Sequence, residues 1–187
     1  MKTAIIIHGR PDKDEYFDPT KPKPVDAHWL PWLKRELEVV GYSVEVPAMP
    51  VPYGPDYEAW KKVFEELTLD TETVLVGHSR GGAFLLHWLS DHDMKVGKVL
   101  LVAPSITPNH PVEVGFSEFT IDTDLVAKTD GITLLYSIDD EDGILESVAK
   151  IKETISGIKS IEFTDAGHFT SEDGYDEFPQ LLEQIVN

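Results

Sequence analysis

The stretch 73-TVLVGHSRGGAFLL-86 decides the fold of this chain. Its first part, Val74 to Val76, is apolar and mostly β-branched, which is typical of a buried parallel strand. Its last part carries apolar side chains at helical spacing. Gly77 and Gly81 stand two positions before and two after Ser79, and they lack the Cβ atoms that would collide at a sharp corner. The pattern therefore predicts a strand, a tight corner with Ser79 at its tip, and a helix.

This G-x-S-x-G corner has the form of a nucleophile elbow, which raises a serine hydroxyl above the carboxyl edge of a parallel sheet. The corner also puts Ser79 at the start of a helix, where free backbone N–H groups favour negative charge. A turn that merely caps a helix is the alternative. The strand before the corner and the helix after it favour the catalytic interpretation.

Composition limits the class of protein. The 187 residues are 41% hydrophobic and 27% charged, which predicts a single globular domain over residues 1–187. The chain has 16 Lys and Arg against 34 Asp and Glu, a net charge of -18, so we expect neither a nucleic-acid partner nor an anionic membrane surface. There is no cysteine, which excludes disulfides and thiolate chemistry. The apolar run 4–7 is shorter than a signal-peptide core, and no stretch reaches membrane-spanning length, so we expect a cytoplasmic protein.

Strand-like and helix-like patterns alternate along the chain. Strand patterns occupy residues 3–7, 42–46, 74–76, 96–102, 132–136 and 158–163, and the helical patterns include 28–41, 56–67, 83–89, 145–155 and 178–186. This alternation predicts the α/β class, with a six-stranded parallel sheet and helices on both faces. Prolines and charges over residues 10–25 predict a long surface loop. The pattern is weak over 105–130, with one short helix expected near 122–128.

The candidate catalytic residues all follow predicted strands. Active groups of parallel sheets gather where the strands end at the carboxyl edge. Ser79 follows the third strand, an acidic run follows the fifth, and His168 follows the sixth. The order Ser, Asp, His is that of α/β-hydrolases, in which the histidine takes the serine proton and the carboxylate orients the histidine. We predict a triad of Ser79, Asp140 and His168, with Asp139 as the alternative acid and Asp142 as a weaker one.

The acidic run has a second interpretation, a calcium-binding loop centred on Gly143. We reject it because Ile138 and Ala149 stand where that loop needs acidic ligands. We expect no metal and no organic cofactor, because the triad mechanism needs neither.

An acyl-transfer site also needs N–H donors for the oxyanion of the tetrahedral intermediate. We expect these from the backbone of Arg80 and from Gly9 or Arg10 after the first strand. The side chains of Arg10 and Arg80 could contact an anionic substrate group or pair with nearby acids, and the sequence leaves both open. Candidate substrate-lining residues, for which ordinary packing is the alternative, are His8, Trp29, His78, Phe116 and Phe119. Loop residues His28 and His110 are further candidates.

Beyond these motifs, the chain resembles the small α/β-hydrolases of the YdeN and retinoblastoma-binding-protein-9 group. The resemblance spans nearly the whole length and rests on 8-HG-9, 28-HWLPWLK-34, 48-AMP-50, 77-GHSRG-81, 137-SIDD-140 and 167-GHF-169. It implies a minimal hydrolase without a full cap domain that acts on small esters or amides. The family pattern has its triad acid at the position of Asp140.

These observations predict a carboxylesterase-like serine hydrolase that cleaves small carboxylic esters through an acyl-enzyme, with amides as the second candidate substrates. The alternative is a non-catalytic binding protein that keeps the hydrolase scaffold to hold a partner or ligand.

Overall fold

The computed structural model describes residues 2–107, 113–116 and 119–187. Its centre is a six-stranded sheet in the order β2-β1-β3-β4-β5-β6, with every neighbouring pair parallel. The strands are β1 Thr3–Ile7, β2 Ser43–Glu45, β3 Val74–His78, β4 Val99–Val102, β5 Ile132–Ser137 and β6 Lys159–Phe163. The predicted α/β class and six-stranded parallel sheet are confirmed. The loop residue His110 lies outside the described residues.

Six helices accompany this sheet in the described ranges. They are α1 Lys13–Phe17, α2 Leu30–Val39, α3 Tyr57–Phe64, α4 Arg80–Asp91, α5 Asp142–Thr154 and α6 Pro179–Val186. Right-handed crossovers put α2 on one face and α3, α4 and α5 on the other, because the chain moves outward from β1 to β2 and then returns across β1 to β3. The contacts of α2 with α6 and of α3 with α4 agree with this division.

Two short elements differ from the sequence expectation. The predicted surface loop 10–25 contains α1 and the beginning of a 3-10 turn at Pro24–Asp26. Helix α1 buries none of its residues, so it carries no apolar periodicity that a sequence pattern could show. The short helix expected near 122–128 is a 3-10 turn at Leu125–Lys128.

The central strands are apolar because both of their faces are covered. All five residues of β3 and all four of β4 are buried. The buried apolar side chains of both faces form one contiguous core. No separate cap domain covers the sheet within the described part of the chain, and none of its helices there is long and apolar enough to cross a membrane.

The topology also fixes where a ligand can approach. The connections leave β1 and β3 in opposite directions, so a crevice opens at the carboxyl ends of these two neighbouring strands. Gly9 follows β1 and Ser79 follows β3 at this crevice.

Candidate active site

Ser79 lies at a strained corner between β3 and α4. Its φ of 52° and ψ of -116° are unusual for a residue with a Cβ atom. A Cβ atom at Gly77 would come within 2.7 Å of the Gly81 carbonyl oxygen, and one at Gly81 would collide with the backbone of Ile7 and His8. The corner therefore requires glycine on both sides of the serine. Backbone hydrogen bonds then hold it, since the Ser79 N–H donates to the Val102 carbonyl at 2.8 Å.

His168 lies beside a buried carboxylate. Its Nδ1 is 2.9 Å from Oδ2 of Asp140 and 3.1 Å from Oδ1. The Asp140 side chain is 1% exposed and that of His168 is 29% exposed. The backbone N–H of Glu141 donates to Asp140 Oδ1 at 2.7 Å, which orients the carboxylate. Of the three candidate acids, Asp140 is the one that lies at hydrogen-bond distance from the His168 ring.

Ser79 and His168 line the same two cavities. Within the described ranges no hydrogen bond joins the Ser79 hydroxyl to His168 or to another residue. Such bonds are often long without substrate and tighten when it binds. Ser79 and His168 thus border the same space, and the carboxylate of Asp140 lies on the Nδ1 side of the imidazole.

Two further carboxylates hold the loop that carries His168. Asp139 Oδ1 accepts hydrogen bonds from the Ser137 hydroxyl and from the backbone N–H groups of Ala166 and Gly167. These bonds, the Ser137 bond foremost, lower the pKa of Asp139. Asp173 Oδ2 accepts from the backbone N–H of His168 at 3.0 Å and from Thr170. The position of the imidazole thus depends on Asp139, which precedes His168 in the chain, and on Asp173, which follows it.

His78 connects the elbow to this loop. Its Nε2 lies 2.8 Å from the carbonyl oxygen of His168, so Nε2 carries the proton and donates it. Burial lowers the pKa of His78 well below the ordinary value, with the neighbouring His168 and His28 acting in the same direction. A neutral His78 therefore fixes the backbone of His168 through a hydrogen bond to its carbonyl oxygen.

The candidate oxyanion donors follow two neighbouring strands, Gly9 and Arg10 after β1 and Arg80 after β3. A Cβ atom at Gly9 would lie 3.2 Å from the Ser79 Cβ. The N–H groups of Gly9, Arg10 and Arg80 have no backbone acceptor among the residues with described positions. His8 Nδ1 donates to the Gly9 carbonyl at 2.8 Å, and because the peptide is trans this points the Arg10 N–H the opposite way.

The ring of His8 is itself fixed by a hydrogen bond to its other nitrogen. The Met49 N–H donates to its Nε2 at 3.1 Å, and burial lowers the pKa of His8. The ring is therefore neutral, with its proton on Nδ1, and it acts on the Gly9–Arg10 peptide rather than lining a cavity.

The remaining lining candidates lie in different places. His78 borders a cavity of about 410 Å³. Trp29 and Phe116 have no exposed surface and pack in the core, Trp29 against His78 and Phe116 against Trp60. Phe119 stacks on His87 at 4.3 Å between ring centroids. None of these three aromatic residues borders either of the two cavities at Ser79.

His28 borders the 410 Å³ cavity, in which Pro11, Tyr16 and Leu30 provide apolar surface. Its Nδ1 accepts from the Ser171 N–H at 3.0 Å, and burial lowers its pKa, so the ring is neutral with its proton on Nε2. Its φ of 55° is a second strained backbone position at this site. The sequence placed His28 only among several loop histidines, because a positive φ has no residue signature when glycine is absent.

The second cavity, of about 680 Å³, borders Ser79 and His168 on the side of α5. It is lined by polar and charged residues that include Arg10, Arg80, Glu141 and Asp142. No group of three or more His, Asp and Glu side chains in the described part of the chain is arranged to hold a metal ion.

The side chains of Arg10 and Arg80 both contact one carboxylate. Glu113 Oε2 is 2.7 Å from Arg80 Nη2, and Glu113 Oε1 is 3.4 Å from Arg10 Nε. Of the two roles left open by the sequence, pairing with a nearby acid is the one observed. Neither Glu113 nor Asp173 had a sequence signal, since each is one acid among 34 and its partners are distant or on the backbone.

Comparisons with known proteins identify the family of this chain. A family model described as serine hydrolase matches residues 22–187. The curated Bacillus subtilis protein YdeN is 26% identical over 167 residues, which covers 86% of this chain and 87% of YdeN. The crystal structure of the ydeN gene product has a TM-score of 0.84 at 23% identity, covering 99% of this chain and 97% of that one.

A more distant likeness concerns the fold alone. The esterase domain of a Rhodothermus marinus protein has a TM-score of 0.61 at 18% identity, covering 97% of this chain and 84% of that one. The family model, by contrast, spans most of the present chain, including both the elbow serine and the histidine loop. This protein is therefore an enzyme that belongs to the serine hydrolase family.

Proposed function

We propose that this enzyme hydrolyses small carboxylic esters through an acyl-enzyme on Ser79, with amides as the second candidate substrates. The observation that carries the proposal is the 2.9 Å contact between His168 Nδ1 and the buried Asp140, in a site where His168 and Ser79 border the same cavities. A serine hydroxyl is a weak nucleophile and needs such a base.

In the first half of the reaction, Ser79 Oγ attacks the ester carbonyl while His168 Nε2 accepts its proton. Asp140 fixes the Nδ1–H tautomer and stabilises the imidazolium that forms. The oxyanion is held by the N–H of Arg80 and by that of Arg10 or Gly9. His168 then protonates the departing alcohol, and the acyl group remains on Ser79.

In the second half, water enters and His168 removes its proton. The resulting attack on the acyl-enzyme releases the carboxylic acid and restores Ser79. The two cavities that meet at Ser79, of about 410 and 680 Å³, give separate space for an acyl group and a leaving alcohol. Cavities of this size favour small-molecule substrates. The named esterase domain among the structural relatives is consistent with this chemistry.

Active-site labelling tests the proposal. A fluorophosphonate probe should label the wild type stoichiometrically and should fail on Ser79→Ala, since the alanine has no hydroxyl to phosphonylate. Ser90→Ala, which removes a serine from the far end of α4, is the matched control and should label like the wild type. Mass spectrometry of the labelled peptide checks the position.

A panel of p-nitrophenyl esters graded by acyl length then checks turnover. Equal labelling of wild type and Ser79→Ala would refute Ser79 as the nucleophile. A labelled enzyme that turned over no ester or amide would favour the non-catalytic binding protein.

A further inference from the structure

The buried carboxylate of Glu113 lies between the side chains of Arg10 and Arg80. Its side chain is 3% exposed, and that of Arg80 is 2% exposed. It contacts Arg80 on the β3 side at 2.7 Å and Arg10 on the β1 side at 3.4 Å. These two arginines supply, through their backbones, the N–H groups assigned above to the oxyanion.

The Arg80 side chain is fixed by more than this ion pair. Its Nη1 donates to the Ser105 carbonyl, and its Nη2 donates to the Thr107 carbonyl at 3.3 Å. Burial lowers the pKa of Arg80, and the Glu113 carboxylate opposes that effect, so the guanidinium keeps its charge beside the elbow. Arg80 thereby ties the segment after β4 to the first residue of α4.

Glu113 is itself anchored through its neighbour in the chain. Val114 accepts a backbone hydrogen bond from the Tyr57 N–H at 3.0 Å and donates one to the Pro55 carbonyl at 3.1 Å. These bonds join residues 113–114 to the beginning of α3. These bonds fix the backbone next to Glu113, so the position of its carboxylate beside the two arginines is also fixed.

The separation of the oxyanion donors depends on the loops after β1 and β3, and those loops are joined by strand pairing only up to Ile7 and Gly77. The Arg10–Glu113–Arg80 cluster adds a link beyond the last strand pair. We propose that Glu113 is a positioning residue that sets the spacing of the two oxyanion donors. This inference rests on the proposed function.

A structural role and a substrate-binding role make different predictions. A merely structural ion pair would change stability without changing the chemistry of folded enzyme. An anion-binding role for the arginines would change KM. A spacing role changes the transition state, so it lowers kcat and leaves KM nearly constant.

The experiment uses Glu113→Gln in the full chain. We expect kcat for a p-nitrophenyl ester to fall about 10- to 100-fold with KM within twofold, because displaced oxyanion donors stabilise the transition state less well. A trifluoromethyl ketone, whose adduct on Ser79 puts an oxyanion in the hole, should lose affinity by the same factor. Glu113→Asp, which keeps the charge, should recover part of the loss.

Asp122→Asn is the control, because it removes a carboxylate from a 2.8 Å ion pair with Lys128 at the other end of α4. It should leave kcat and ketone affinity unchanged. Arg10→Met is a second variant that tests the proposal if Glu113→Gln does not fold. The Arg10 side chain is 17% exposed, and the variant keeps the backbone N–H of residue 10. It should lower kcat like Glu113→Gln, and the double variant should lose no more than Glu113→Gln alone.

The outcomes separate the two proposals. If the Glu113→Gln variant is labelled at Ser79 and matches the wild type in kcat and ketone affinity, the spacing role alone is overturned. A rise in KM at constant kcat in Arg10→Met would overturn it in favour of substrate binding. Loss of activity proportional to the loss of folded protein would leave only a structural ion pair and would also overturn it. A wild type that is not labelled at Ser79 would overturn the proposed function.

Discussion

Ser79 at the elbow is held by backbone geometry, whereas the loop that carries His168 is held by hydrogen bonds to the side chains of Asp139 and Asp173. At the elbow, Gly77 and Gly81 lack the Cβ atoms that would block the corner, and the backbone hydrogen bond from Ser79 to Val102 holds the corner in place. In the loop 165–174, carboxylates of Asp139 and Asp173 bind the backbone N–H groups around the imidazole.

This difference has a consequence for how each region responds to change. A backbone corner tolerates no added atom, so a small substitution there threatens the fold itself. A loop fixed by hydrogen bonds loses them one at a time, so substitutions there should weaken catalysis in steps while the sheet persists.

The largest expected effect is that of Gly81→Ala. The added Cβ would overlap the carbonyl oxygens of Ile7 and His8, which belong to a central strand and the residue after it. We expect a loss of more than about 4 kcal/mol in the free energy of unfolding, or no folded protein. Urea unfolding followed by circular dichroism measures this.

Gly41→Ala is the matched control for that experiment. Gly41 has a φ of 93°, but a Cβ there would meet nothing within 4 Å. Strain without collision should cost about 1 kcal/mol. Gly81 itself has no positive φ. If both variants lost the same stability, the close approach of β1 would not explain the elbow glycine.

The next effect concerns the two neighbouring acids. Asp140→Asn should lower kcat about 10³- to 10⁴-fold, because an amide favours the wrong imidazole tautomer. Asp139→Asn should be mild, since all three of its observed bonds are accepted at Oδ1, an atom that asparagine retains. Steady-state ester hydrolysis with active-site titration measures both. The reverse order of effects would exchange their roles.

The same contrast explains what the sequence could predict. The elbow requirement is local, so it is written in five consecutive residues, Gly77 to Gly81, with a strand before them and a helix after them. The strands could be placed because those in the centre of the sheet are buried on both faces and read as continuous apolar runs. Helix α1 could not, because it buries nothing.

The partners of the catalytic candidates were less accessible to sequence. Asp173 contacts the His168 N–H and Glu113 contacts Arg80, and in both cases the choice among many acids depends on the folded loops. Trp29 and Phe116 show the opposite difficulty. A large aromatic residue near a predicted site has the same pattern whether it lines a cavity or fills the core, and here both are fully buried.

Asp173→Ala should produce an intermediate effect that is confined to the loop. It leaves the N–H groups of His168 and Thr170 without their acceptor, so the imidazole should shift relative to Ser79. We expect kcat to fall about 10- to 100-fold, since displacements of about 1 Å have effects of this size. The free energy of unfolding should fall by only about 1–2 kcal/mol.

Asp165→Ala is the control within the same loop. Asp165 is exposed, and its side chain accepts no hydrogen bond from any residue that the structure describes. It should retain kcat near the wild-type value in the ester assay. Equal losses for the two variants would mean that the charge of the loop, and not the bond to the His168 N–H, supports the imidazole.

The smallest expected effect lies where the two regions meet, at His78. Its lowered pKa means that the unfolded chain binds a proton near pH 6.5 while the folded protein does not. The contribution of His78 to stability is therefore complete above about pH 6.5 and falls below it, by at most about 1.4 kcal/mol per pH unit. His8, His28 and His87 also have lowered pKa values and act with the same sign.

His78→Gln keeps a side-chain N–H donor for the His168 carbonyl but cannot take up a proton. The wild type should lose stability more steeply than this variant between pH 6.5 and pH 5, with a difference of about one proton in the slope. Urea unfolding at four pH values measures both slopes. Parallel slopes would show that His78 is protonated in the folded protein as it is in the unfolded chain. The ring that donates to the His168 carbonyl would then be charged and not neutral.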